Sequence, residues 1–170
     1  MIGDGSPKVR AATLADLPLL QRMLYEAANR PGEQWPSFES SMQEPRNFRF
    51  WQGWMRDGDL GVVAERPGAP LGAAWVRRFS GQELGPWDDP EVPVLAVAVE
   101  RPFRGMGVGM ALLKTLLAFA TDEGVRAIDL TTGTFNEAAV RLYHSCGFVD
   151  IAQRGEAVRM RVVLHPGPSA

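Results

Sequence analysis

Gly105, Gly107 and Gly109 stand at alternate positions between an apolar run, Val94 to Val99, and a helical pattern that continues from Met110. A side chain on any of the three would stand between main chain and ligand, so this spacing predicts a turn that lets the backbone approach a bound group closely. The helix that starts in the turn adds free N–H groups and about half a positive charge from its aligned peptide dipoles. Together these suit an anion, and a diphosphate is the usual biological one. Two other phosphate-binding loops share this physics, and neither fits. No Lys-Ser or Lys-Thr follows Gly109, as a nucleoside-triphosphate loop requires. The turn also lies past the middle of the chain, and no acidic strand end about twenty residues on is present to hold a ribose.

Arg104-Gly105-Met106-Gly107-Val108-Gly109 resembles the acyl-CoA pyrophosphate loop of the GNAT superfamily of N-acetyltransferases: Gln or Arg, two residues, Gly, one residue, then Gly or Ala. Val97-Ala98-Val99 before it and Met110-Ala111-Leu112-Leu113 after it are similar too. Downstream, the stretch from Asn136 through Ala138, Ala139, Leu142 and Tyr143 to Gly147 and Phe148 resembles the second motif of that family, an Asn opening a helix that carries Ala, Leu-Tyr and finally Gly-Phe. Two motifs in the right order are more specific than either alone, and with compatible strands around them the resemblance covers nearly the whole chain.

The resemblance implies an α/β (α+β) fold: a mixed, mostly antiparallel sheet of about seven strands, with helices on both faces. A V-shaped cleft is expected where its two central parallel strands splay. It implies acetyl-CoA as cosubstrate and no metal. The pantetheine arm would pair with the backbone of Val97, Ala98 and Val99, and a strand N–H near Val99 would polarise the acetyl carbonyl. The diphosphate would rest on Arg104, Gly105, Met106, Gly107, Val108, Gly109 and Met110, with Arg101 a further phosphate contact. Asn136 stands where relatives hydrogen-bond the pantetheine, or equally where a residue caps its own helix. Ala139 and Tyr143 would complete the cofactor site. The implied activity is transfer of an acetyl group to a primary amine of a small molecule or protein, by direct attack in a ternary complex. The alternative is a non-catalytic acyl-CoA-binding or sensing module of the same fold.

Acetyl transfer needs a proton for the departing thiolate, and Tyr143, a phenol of reference pKa about 10, carries one at neutral pH. It also needs a neutral amine. A lysine-like amine is only about one part in a few thousand neutral at pH 7, equivalent to about 4.6 kcal/mol. Relatives place a Glu at positions that match Val94 and Thr131, and neither of these accepts a proton. Glu100, directly after the cleft strand, is the leading base, with Asp88, Asp89 and Glu91 as alternatives and an already neutral acceptor as another. Trp35, Trp87, Asp88 and Asp89 together suggest a cationic or hydrophobic amine. His144 and His165 have no second ligand at metal spacing. Cys146 has no adjacent base to make it a nucleophile.

These residues need elements to position them, and 170 residues with 45% hydrophobic content suffice for one domain. Tails are expected at 1–8 and 165–170. The pattern gives a strand at 9–12, a helix capped by Thr13 or Asp16 and running to about Asn29, and an irregular segment from Arg30 to Arg46. A short helix carrying Trp51 and Trp54 on one face spans 48–56. A hairpin follows around Pro67-Gly68 and a long connection over 80–93, then strands at 127–132, 148–152 and 157–164. A formal charge of -2 from 18 basic and 20 acidic side chains argues against nucleic acid and anionic membranes as partners. The single cysteine suits a reducing cytoplasm, and Gly3, Asp4, Gly5 and Ser6 interrupt any leader or membrane span. Relatives of the resembled family are often dimers, so a homodimer is admitted as a partner state.

Overall fold

The structure, a computed structural model, describes residues 7–30 and 32–165. The expected tails lie outside the described residues except for Pro7, Lys8 and His165, and Lys8 is already paired with Glu65 in the first strand. In chain order the elements are β1 (Lys8–Ala11), α1 (Leu17–Ala28), α2 (Phe38–Gln43), α3 (Pro45–Trp51), β2 (Leu60–Arg66), β3 (Ala69–Arg77), β4 (Val94–Val99), α4 (Val108–Asp122), β5 (Ala127–Gly133), α5 (Glu137–Ser145), β6 (Val149–Arg154) and β7 (Ala157–Val163). The strands form one sheet in the order β1-β2-β3-β4-β5-β7-β6. Every neighbouring pair is antiparallel except β4 and β5.

The side-chain alternation of a strand, period two, divides the core into two layers. Val62, Ala64, Ala74 and Val76 face one way and pack with Leu112, Leu113 and Leu116 of α4. Val63, Ala73 and Trp75 face the other way and pack with Leu20, Met23 and Leu24 of α1. Helices therefore cover both faces, as the alternation requires. The entry to α1 is fixed by Asp16, whose carboxylate accepts from the Thr13 N–H at 2.7 Å and pairs with Arg10 at 2.8 Å. The Arg10 guanidinium holds the Asp16 carboxyl below the usual carboxylate range.

Three expectations are corrected. The segment 30–46 is not wholly irregular: Ser37 caps α2, its Oγ accepting from the Ser40 N–H at 3.1 Å. The following helix starts earlier, at Pro45, and ends at Trp51. Gly53 and Met55 take positive φ of 61° and 72°, so Trp54 belongs to a turn and not to the helix face of Trp51. That turn drives Trp54 into the α1-side core, where its Nε1–H donates to the Thr13 carbonyl at 3.1 Å.

Candidate active site

β4 and β5 pair at one position, Val94 opposite Asp129, where the Asp129 N–H donates to the Pro93 carbonyl at 3.0 Å. Beyond it the strands part. Asp129 is almost fully buried and lies between two arginines of β7, with the Nε of Arg161 at 2.6 Å and that of Arg159 at 3.0 Å. The point of divergence is therefore pinned by ion pairs on the strand beside it. The opening forms a cleft of about 920 Å³, lined by Leu95 to Val99 on one side and Leu130 to Gly133 on the other.

The backbone of β4 shows what the cleft offers. The Glu100 N–H donates to the Leu71 carbonyl, and Ala98 stands opposite Ala73 in the same ladder. Antiparallel pairing alternates the facing of successive residues, so Ala98 turns its N–H and C=O to β3, whereas Val97 and Val99 turn theirs into the cleft. The Val99 carbonyl accepts from Arg104 Nε at 2.9 Å. The peptide groups of Val97 and the Val99 N–H remain open to a ligand that lies along the strand. This corrects the expectation for Ala98, which lines the cleft without offering its peptide groups.

The glycine loop lies beyond the end of β4. Gly107 caps α4 with φ 81° and Gly105 has φ 74°. No atom lies within 4 Å of a Cβ built on either, so these two glycines answer to left-handed backbone and not to crowding. Gly109 is different: a Cβ there would lie 3.0 Å from Leu142 Cδ2, so its absence lets α4 and α5 approach. The first N–H groups of α4 are left without intrahelical partners, aimed along the axis toward the loop. Gly105, Gly107, Gly109, Met110 and Arg104 line the cleft. Met106 projects outward, 64% exposed, and Val108 is in the core, so neither side chain reaches the cleft. Arg101 and Arg104 both bond Glu26 Oε2 of α1, at 3.1 and 3.3 Å. In the sequence Glu26 carries no mark of this place and reads as one more acid on the polar face of a helix.

From α5 come Asn136, Ala139 and Tyr143, all lining the cleft. Asn136 is a cap, its Oδ1 accepting from the Ala139 N–H at 3.3 Å. Its Nδ2 has no partner among the described residues. Tyr143 is buried against Phe148 at 5.8 Å between ring centroids. Burial pushes its phenol up to about 12, so it holds its proton across the physiological range. Its hydroxyl meets no hydrogen-bond partner among the described residues. Burial also raises the Cys146 thiol, which lies 3.6 Å from Met110 Sδ.

The expected bases lie elsewhere. Glu100 does not line the cleft, and its Oε1 is held by Arg22 of α1 at 2.8 Å. Asp88 pairs with Arg49 and accepts from the Gly85 N–H at 2.7 Å. Asp89 lies 3.7 Å from Arg161. Neither of them lines the cleft, nor do Glu91 and Trp87. Trp35 does line it, beneath Arg101 at 4.8 Å. Thr131 is present there too, without a protonatable group. The cleft carboxylates are Glu26, already described, and Glu156, which pairs with Arg30 at 3.3 Å. Arg30 in turn stacks on Phe135 at 3.8 Å, joining the end of α1 to the far wall.

A strand edge left open beside a glycine-capped helix fits the extended, anionic cosubstrate implied above. The acetyltransferase (GNAT) family model matches residues 22–148. This chain belongs to the GNAT acetyltransferase family. Among its relatives, N-acetyltransferase 8 of Mus musculus is 34% identical over 113 residues, covering 56% of this chain and 50% of the relative. The chain thus spans about half the length of that curated relative. A Brucella melitensis ribosomal-protein-alanine N-acetyltransferase superposes with TM-score 0.67 at 26% identity, over 92% of this chain and 99% of that one. Salmonella typhimurium yncA, whose structure holds its cofactor acetyl-CoA, superposes with TM-score 0.64 at 22% identity, over 98% and 99%. The parted β4 and β5, the loop before α4 and the helix α5 are thus the parts of a GNAT acetyltransferase domain. No helix among the described residues is long and apolar enough to cross a membrane.

Proposed function

We propose that this GNAT domain moves the acetyl group of acetyl-CoA to a primary amine by direct attack in a ternary complex. The observation that carries the reading is the protonated, unpartnered phenol of Tyr143 in the same cleft as the open peptide groups of Val97 and the open N–H of Val99. Acetyl-CoA would supply an activated thioester. The chain does the rest. The amides of Gly105 to Met110 and the positive end of α4 take the diphosphate, with Arg101 and Arg104, held in place by Glu26, adding positive charge beside it. Val97 hydrogen-bonds the amide-bearing arm as a neighbouring strand would. The Val99 N–H faces the acetyl oxygen and stabilises the negative charge that develops there. Tyr143 gives its proton to the departing sulfur, and the proton that the attacking nitrogen sheds as the amide forms passes through water and restores the phenol.

Among the described residues no cleft carboxylate is free of an arginine, so the amine is taken up in its neutral form, and Glu100, bound to Arg22 outside the cleft, is not assigned the role of base. That same lack of a free carboxylate is what favours the second reading, an acyl-CoA-binding module without turnover. The two are separated by following free-thiol release from acetyl-CoA across amines, arylamines, amino acids and peptides, with Tyr143→Phe beside the parent. A selective signal that falls in the variant supports the transferase. Silence with intact CoA binding supports the module.

A further inference from the structure

One polar side chain in the cleft has an end that nothing in the fold uses. Asn47, on α3, is 4% exposed and lines the cleft. Its Nδ2 donates to the Ser41 carbonyl at 2.9 Å and to Ser41 Oγ at 3.2 Å. The Ser41 carbonyl can only accept, so the atom facing it must be the amide nitrogen, and the orientation of the side chain is fixed. Asn47 Oδ1 accepts from no described residue. The oxygen is not closed off from the cleft, so water meets it, and a ligand N–H can take that water's place at an acceptor already fixed in direction.

The surroundings are apolar on the same wall: Leu24 of α1 and Phe50, one helical turn from Asn47. The two carboxylates of the cleft are both held by arginines, Glu26 by Arg101 and Arg104, and Glu156 by Arg30. The acids expected to draw in a cation, Asp88 and Asp89, are outside it. We propose that Asn47 Oδ1 is the hydrogen-bond acceptor for the N–H of the incoming amine, and that the acceptor is a monoamine on an apolar group. This rests on the acetyl-transfer reading above. An N–H given to a fixed oxygen turns the nitrogen lone pair away from that oxygen and leaves it available to the thioester. Asn47 would thus both select an amine and orient it, while a polyamine finds no free carboxylate for its second charge.

The probes are phenethylamine and spermidine, followed by calorimetric binding to the CoA-loaded protein and by turnover with acetyl-CoA, in the parent, Asn47→Leu and Asn47→Asp. The Ser41 bonds are lost in both variants, so both melt lower than the parent. Only Asn47→Asp keeps an oxygen for the amine. The expected result is parental binding of phenethylamine at least tenfold tighter than of spermidine. Asn47→Leu should weaken phenethylamine about tenfold or more, and Asn47→Asp should stay within about threefold, with acetyl-CoA affinity unchanged in both. Equal weakening in the two variants, in step with their melting temperatures, would reduce Asn47 to a structural tie and overturn the assignment. So would spermidine binding as tightly as phenethylamine, or no amine binding at all. Binding without turnover would instead count against the transferase reading, while the same two variants still decide the place of Asn47.

Discussion

Along β4 and the loop into α4 the cleft is walled by main chain: the peptide groups of Val97 and Val99, two left-handed glycines, and the first amides of a helix. Across from them, the wall formed by α1, α3 and the β6–β7 turn consists of side chains, Asn47, Phe50, Arg30 and Glu156 among them. A main-chain wall recognises what any substrate of the family must bring, because its hydrogen-bonding groups are the same whatever the residue. A side-chain wall can change with a single substitution. Within one cleft, the common part of the reaction and the part particular to this chain are thus built from different groups.

Substitutions that affect one wall and spare the other would sharpen this contrast. The largest effect is expected at Tyr143, the α5 side chain proposed to protonate the departing sulfur. Tyr143→Phe should lower kcat about 100-fold with acetyl-CoA KM little changed, as single-turnover and steady-state rates would show. A parental kcat would remove the proton-donor role.

The same residue predicts an alkaline instability. Its folded pKa of about 12 exceeds the unfolded value, so the stabilisation is complete below pH about 10 and is lost as pH rises toward 12. Two units correspond to about 2–3 kcal/mol. Urea unfolding from pH 8 to 11.5 should show the parent losing more stability than Tyr143→Phe, and parallel curves would contradict the burial argument.

Next comes Gly107→Ala. The alanine Cβ meets nothing, but at φ 81° it costs about 1–2 kcal/mol. Acetyl-CoA KM should rise about tenfold with acceptor KM unchanged. A rise in acceptor KM alone would break the division between the walls.

The smallest effect is at Arg30, a half-exposed side chain that stacks on Phe135 and pairs with Glu156. Arg30→Ala should cost less than about 1 kcal/mol of stability. It should alter acceptor KM two- to threefold and leave acetyl-CoA KM alone. A larger change in acetyl-CoA KM than in acceptor KM would count against the assignment of Arg30 to the acceptor wall.

The main-chain wall was legible in the sequence for the reason that makes it general. Left-handed backbone and close helix approach leave glycines at fixed spacing, and these can be read locally. The hairpin turn at Pro67-Gly68 and the helix stop at Gly124, φ 78°, were legible for the same cause. The other wall is an assembly of residues far apart in the chain, Leu24 and Asn47 with Thr131 and Glu156, and no local pattern records it. The acids of the long connection are placed by partners just as distant in the chain. Asp88 and Asp89 are placed by Arg49 and Arg161, partners that spacing alone does not reveal. Glu100 was expected at the cleft because it follows the strand, but the alternation that puts Ala96 and Ala98 on the α1 face carries its side chain there too, where the carboxylate meets Arg22. The helix α2 escaped notice because six residues between prolines give too few turns for a period to show.

The parted strands leave an unusual edge. An unpaired strand normally lies at the rim of a sheet, where it can recruit another chain and begin aggregation. Here the unpaired stretch is internal, at Val97 and Val99, in the middle of seven strands. Its flank toward β5 lies inside the sheet, and an extended ligand pairing there would sit at the usual strand spacing of about 4.8 Å from β4. A folded sheet from another molecule is too bulky to enter, whereas one extended chain, a single hydrogen-bonding ribbon, is not. The fold therefore carries a sticky edge that discriminates by thickness, protected from its own kind by the two halves that the Val94–Asp129 junction joins.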